Sequence, residues 1–121
     1  YTLDEVVVYE ENIAKIASSA NSERGNHAIV CSMTHLESLR VFARSQIENL
    51  YEIYLECDVP TCQNREYKDR YSRALIGEYK FLPGITDPFE PPDNPDLVIN
   101  TSRLGVIEAS GKLLDFFKVF F

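Results

Sequence analysis

A chain of 121 residues, 45% hydrophobic and 26% charged, has the composition of one globular domain with room for a core but little margin. Its 12 Lys and Arg against 19 Asp and Glu leave a net charge of -7, which excludes an extended nucleic-acid surface because that needs a basic stripe. No apolar run approaches the roughly 18–20 residues that cross a bilayer, and no signal-peptide pattern opens the chain, so a cytoplasmic protein without a membrane partner is expected.

Tyr1 to Leu3 reads as a short β-prone start. Glu10 to Glu23 places Ile13, Ile16, Ala17 and Ala20 at the three-and-four spacing of an amphipathic helix, and Arg24-Gly25-Asn26 supplies turn residues to end it. "HAIVC", His27 to Cys31, suits a strand buried on both faces. Leu36 to Ile47 returns to helical spacing through Leu36, Leu39, Phe42 and Ala43. "YEIYLEC", Tyr51 to Cys57, is aromatic and β-branched enough to be a strand, and a helix starts near Pro60, where proline fits a first turn. Gly77 to Asn100 is a long irregular segment with Pro83, Pro88, Pro91, Pro92 and Pro95. Its Phe81, Leu82, Ile85 and Phe89 carry too much apolar surface for a solvated linker, so an ordered loop packed against a bound ligand or the edge of a site is expected. "DLVIN" follows as a third strand, and Val106 to Phe117 as a closing helix that buries Ile107, Leu113, Leu114 and Phe117.

Strands alternating with helices imply βαβ units, hence an α/β fold in three layers with a mainly parallel sheet, residues 1–121 forming a single domain. Ligands of such sheets bind beyond the carboxyl ends of the strands, which directs attention to Asp4 onward, Ser32 to Glu37, Asp58 onward and Thr101 to Gly105. Cys31, Cys57 and Cys62 are odd in number and lie in or beside apolar runs, the pattern of reduced, buried thiols. No zinc-ligand spacing occurs, and no metal-binding residue is assigned. Arg65, Lys68, Arg70, Arg73 and Lys80 concentrate positive charge beside the Gly-Pro loop, as a lid closing over phosphates would; Glu66, Asp69 and Glu78 among them suit a solvated, locally paired helix face equally.

From Tyr51 to Phe117 the sequence resembles the adenylylsulfate kinases, P-loop-type kinases. "CQNREYKDRYSRALIGEYKFLPGITDPFEPPDNPDLVINTS" keeps the family's lid, G-E-x-K, P-G-I, D-P-aromatic-E and N-P-D-L-V blocks in order. Upstream, Leu3-Asp4, "ENIAKIA" and "HAIVCS" with "FAR" continue the likeness. The resemblance implies an ATP- and magnesium-dependent kinase that phosphorylates the ribose 3′-hydroxyl of a small-molecule nucleotide, adenylyl sulfate, and it leaves a homodimer open. It implies that Arg65, Lys68 and Arg73 are lid residues facing phosphates, that Asp4 is the acidic catalytic group, and that Asn12, Leu82, Gly84 and Ile85 contact the substrate nucleotide.

Departures from the family pattern accompany it. No G-x-x-x-x-G-K-[ST] occurs, as expected of a chain that begins after that loop, and "LDEVVVYEEN" is shortened behind Asp4. Leu82 stands where the family stacks a phenylalanine, Pro83 replaces a threonine, Tyr9 an arginine, and "SMTHLE" removes an aromatic and an arginine. Base stacking on an aromatic contributes roughly 1–3 kcal/mol, so these changes keep two alternatives open. One is a kinase of cytidine diphosphoramidate, a related group resembled by "ARSQIENLYEIYL"; the other is a nucleotide-binding module without activity.

Overall fold

The computed structural model of the chain describes residues 2–24 and 26–120. The β-prone start at Tyr1 and the helix-ending Gly25 fall outside the described residues. The elements in chain order are α1 (Leu3–Arg24), α2 (Glu37–Gln46), β1 (Ile53–Glu56), α3 (Val59–Arg65), α4 (Arg70–Leu75), β2 (Leu97–Asn100) and α5 (Val106–Phe120). Two compact units contain them: α1, α2, most of α4 and the loop as far as Pro91 form one; β1, α3, β2 and α5 form the other.

In the first unit α1 packs against α2. Helix α1 begins seven residues before the expected Glu10, because Thr2 and Glu5 close a capping box. The Thr2 amide donates to Glu5 Oε2 at 2.8 Å and the Glu5 amide to Thr2 Oγ1 at 3.3 Å, satisfying orphan donors at the helix start. Leu3 is therefore helical, and Asp4 lies in a first helical turn rather than behind a strand. The buried stripe of α1 is Glu10, Ala14 and Ala17. Of the expected apolar face, Ala17 is buried but Ile16 is 70% exposed. Ile13, Ile16, Ala17 and Ala20 instead line an apolar groove of about 190 Å³ with Ala28, Ile29 and Val30.

That last run is the expected strand "HAIVC", and it is not one. It belongs to neither strand of the two-stranded sheet, and Ile29 is 77% exposed. An apolar β-branched run becomes a strand only when a neighbour satisfies its amides and carbonyls, and no local signal supplies that neighbour. Cys31 is exposed as a consequence, contrary to the buried thiol expected, while Cys57 and Cys62 are half-buried.

The second unit holds the sheet. β1 and β2 pair in parallel from Ile53↔Leu97 to Glu56↔Asn100, as their chain separation and intervening helices imply. Ile99, 1% exposed, is its best-buried side chain, and α5 lies against β2. The expected buried side of α5 is not realised: Ile107 is 88% exposed, Leu114 58%, and no residue of the helix is buried. Two four-residue strands offer too little surface for its apolar side, and α5 packs mainly through Phe116 and Phe120, whose ring centroids stand 5.8 and 4.8 Å from that of Tyr51. No described helix is long and apolar enough to cross a membrane.

Because β2 alternates faces, adjacent truncations should separate cleanly. Ile99→Ala is expected to cost about 2–5 kcal/mol of unfolding free energy in denaturant titration. Val98→Ala, at a 48% exposed position, is expected to cost less than about 1 kcal/mol in the same measurement.

Candidate functional site

The parallel strands end level, and their exits are tied together. Thr101 donates from its amide to the Glu56 carbonyl at 2.7 Å and from its hydroxyl to the same oxygen at 2.9 Å. The Asp58 amide donates to Ser102 Oγ at 2.8 Å. Asp58 then caps α3, its carboxylate accepting the Thr61 amide at 2.8 Å, and Pro60 occupies the first turn as expected. One short helix later, Arg65 reaches back to the strand ends. Its Nη2 donates to the Thr101 carbonyl at 2.8 Å and its Nη1 lies 3.9 Å from Cys57 Sγ. A guanidinium is thus fixed at the carboxyl tips of both strands, where parallel sheets bind ligands.

The electrostatics of this corner favour negative charge. Ser102 and the Thr61 amide hydrogen-bond the Asp58 carboxylate and hold its pKa at about 2. Burial acts to raise the Cys57 thiol, but hydrogen bonds from Ser102, Cys62 and Thr101, with the Arg65 charge, outweigh it and leave the pKa below the ordinary thiol value. Lys68, in the same unit, holds its ammonium 5.3 Å from the Tyr67 ring centroid and makes no ion pair among the described residues. Glu66 accepts the Lys68 and Arg70 amides and the Arg70 Nε at 2.9, 2.8 and 2.9 Å, which shapes the turn into α4.

In the other unit the G-E-x-K and P-G-I blocks acquire physical roles. Gly77, at φ 81°, ends α4 in a Schellman motif: its amide donates to the Ala74 carbonyl at 3.0 Å and the Glu78 amide to the Arg73 carbonyl at 2.9 Å. Glu78 also binds Arg73, Oε2 to Nε at 2.5 Å, and the guanidinium stands 4.8 Å from the Tyr79 ring centroid. Arg73 therefore has local partners, as the solvated-face reading required, and both ends of the pair are half-exposed. Leu82-Pro83-Gly84-Ile85 is a type II turn, with Gly84 at φ 87° and the Ile85 amide donating to the Leu82 carbonyl at 3.0 Å. The Gly84 amide reaches the Asp87 carbonyl at 2.7 Å, and Thr86 Oγ1 accepts the Leu82 amide at 2.7 Å.

The expectation of an ordered, packed loop holds, and what it packs against is α2. Glu90 Oε2 accepts the Glu37 amide at 2.6 Å, capping the helix, and the Glu90 amide donates to the His35 carbonyl at 2.8 Å. The His35 ring meets Phe81 edge-on, centroids 5.2 Å apart. Leu82 and Ile85 are half-buried and Gly84 is exposed in one turn, so those three candidates come together. Asn12 and Asp4 are exposed on α1; for Asp4, a carboxylate in a first turn, interaction with the helix dipole is the role the geometry shows. Sequence reasoning flags the segments carrying Asp58, Thr101 and Ser102 but not those residues; it takes His35 for a polar surface residue, where the structure buries it, and it misses Glu90. The D-P-aromatic-E block was the available signal for Glu90.

A parallel α/β unit with an arginine hooked over its strand tips carries a cation where α/β sheets bind their ligands. The sequence model of the adenylylsulphate kinase family matches residues 8–100. The adenylyl-sulfate kinases of Bacillus licheniformis and Halothermothrix orenii are 32% and 33% identical to the chain over 113 and 109 residues, 90% and 88% of it. The chain belongs to the adenylylsulphate kinase family. It spans 57% and 59% of the length of those two relatives. The Mycobacterium tuberculosis APS kinase CysC, solved in complex with AMPPNP and APS, superposes with a TM-score of 0.86 over 98% of this chain and 69% of its own, at 21% identity, which shows the shared fold.

The Asp58 corner is testable by acid titration. A depressed carboxylate pKa adds stability that is complete above the ordinary value of 3.8 and lost as pH falls towards about 2. Ser102→Ala is expected to move the Asp58 midpoint, followed by carboxyl-carbon NMR, up towards the ordinary value, and the onset of acid unfolding with it.

Proposed function

We propose that the protein acts as an ATP-dependent kinase that phosphorylates the ribose 3′-hydroxyl of a nucleotide, adenylyl sulfate, to give 3′-phosphoadenylyl sulfate. Family membership supports this reading, and the observation that carries it is the Arg65 guanidinium held at the strand tips by the Thr101 carbonyl. Phosphoryl transfer depends mainly on positioning and charge stabilisation, so a fixed cation at the strand tips is appropriate equipment.

In this reading Arg65 and Lys68 offer donors to phosphate oxygens, and Arg73 is a further phosphate donor once released from Glu78. Leu82, Gly84 and Ile85 form the wall against the nucleotide, with Asn12 as a further substrate contact and Asp4 the acidic group of the reaction. The side chains present fit the lid share of an ATP site: Lys68 has an unpaired ammonium, and Arg65 is held by a neutral carbonyl that phosphate can outcompete. Magnesium at nucleotide sites takes only one or two carboxylates besides substrate phosphates and waters, and Asp4 is the acidic group this reading offers it. No cluster of three His, Cys, Asp or Glu side chains able to hold a metal occurs among the described residues, and no step here runs through the ion.

Leu82 supports a second acceptor. A half-buried leucine is a poorer platform for a purine than an aromatic ring, which favours cytidine diphosphoramidate as the alternative substrate. Transfer of label from γ-labelled ATP to each acceptor, assayed on the complete protein, decides between them; label on neither removes the kinase reading. Where transfer occurs, Arg65→Ala is expected to lower kcat/KM by roughly 10²–10³-fold, with Arg65→Lys recovering only part because a lysine cannot reproduce the fork.

A further inference from the structure

His35 is the most completely enclosed polar side chain among the described residues, at 0% exposure, and neither ring nitrogen has a hydrogen-bond partner. Buried polar atoms without partners are rare and costly, and a neutral imidazole already brings one donor and one acceptor. Protonation would make both nitrogens donors and add a charge. Charged groups face the ring from each element around it: Glu10 from α1, Arg40 from α2, and Asp87 and Glu90 from the loop. Each carboxylate already accepts a hydrogen bond from another group. Glu10 accepts the Ser32 hydroxyl, Glu90 the Glu37 amide, and Asp87 the Thr86 hydroxyl at 2.8 Å. Arg40 is buried beside them, donating to the Thr34 carbonyl at 2.7 Å and to Glu37. As the ring is placed, neither nitrogen reaches an acceptor, so an imidazolium could gain a partner only by moving the ring or its neighbours.

The same residue carries the loop's attachment, through its carbonyl to the Glu90 amide and through its ring to Phe81. We infer that His35 is an acid-sensitive latch: its neutral ring keeps the Phe81–Glu90 loop docked on the α2 N-terminus, and protonation releases the loop. Burial holds the His35 pKa below the ordinary 6.5; Asp87, Glu10 and Glu90 oppose that shift without reversing it, and Arg40 reinforces it. A folded-state pKa lower than that of the released ring makes the docked form lose stability as pH falls below the ordinary value. The inference stands apart from the transfer reaction, since it concerns only how the loop is held.

Amide hydrogen exchange on the full chain tests it. Between about pH 7.5 and 5.5, a range above ordinary carboxylate titration, protection factors of the Glu90 and Gly84 amides should fall by up to about tenfold. Protection of the Thr101 amide in the other unit should hold. His35→Phe, which fills the site and cannot be protonated, should flatten the loop's response, and His35→Gln should do the same if the phenylalanine variant does not fold. An equal fall in a non-titrating variant, or no fall in the parent chain, overturns the latch. So does an NMR titration of the parent that places His35 at or above 6.5.

Discussion

The in-register parallel pairing of β1 with β2 is the constraint on which the candidate site depends. Because Glu56 pairs with Asn100, both chains leave the sheet at one level, and the Glu56 carbonyl can take both Thr101 donors. That contact turns the Thr101 carbonyl outward to Arg65, and the neighbouring Asp58–Ser102 bond starts α3 at the position that brings Arg65 back. A slip of one residue would exchange the faces of Val98 and Ile99, exposing the buried side chain and separating the two exits. The cation's placement is therefore a consequence of strand register rather than of the basic stretch in which Arg65 occurs.

The proline-rich loop achieves order by different means. Its elements are local and stereochemical: a Schellman end at Gly77, a type II turn at Pro83-Gly84 and side-chain bonds from Thr86. Proline limits what the unfolded segment can explore, so less conformational entropy is lost when these bonds form. Glu90 then joins loop to helix by capping α2, whose Leu36 N-cap position makes no side-chain capping bond of its own. A helix lacking an adjacent cap residue obtains one from a segment more than fifty positions later, and that bond also anchors the loop.

What the sequence disclosed follows the range of the interactions. β1, β2, α2 and the start of α3 were legible because periodicity, β-branching and a first-turn proline are local signals. The order of the loop was legible from its apolar content. The early start of α1 is also encoded locally, in the capping-box spacing of Thr2 and Glu5. "HAIVC" misled because strand formation is settled by a neighbour, and α5 because burial is settled by the area on offer. The hold of Arg65 on Thr101 spans 36 positions and leaves no trace in local spacing. Nor does the enclosure of His35, which three separate segments create.

The three candidate lid cations are not equivalent, and the reason lies in their present partners. Arg65 is bound to a carbonyl and a thiol, both neutral acceptors, so moving towards a phosphate exchanges an uncharged contact for a charge-assisted one. Arg73 must first leave Glu78, yet that pair is half-exposed, and such pairs contribute only about 0.2–1 kcal/mol. A doubly charged phosphate competes readily at that level. Lys68 has no ion pair to surrender among the described residues, but its ammonium is strongly hydrated and supplies a point charge without orientation. Orientation at the strand tips therefore rests on Arg65, while Lys68 in the same unit supplies charge without a fixed direction.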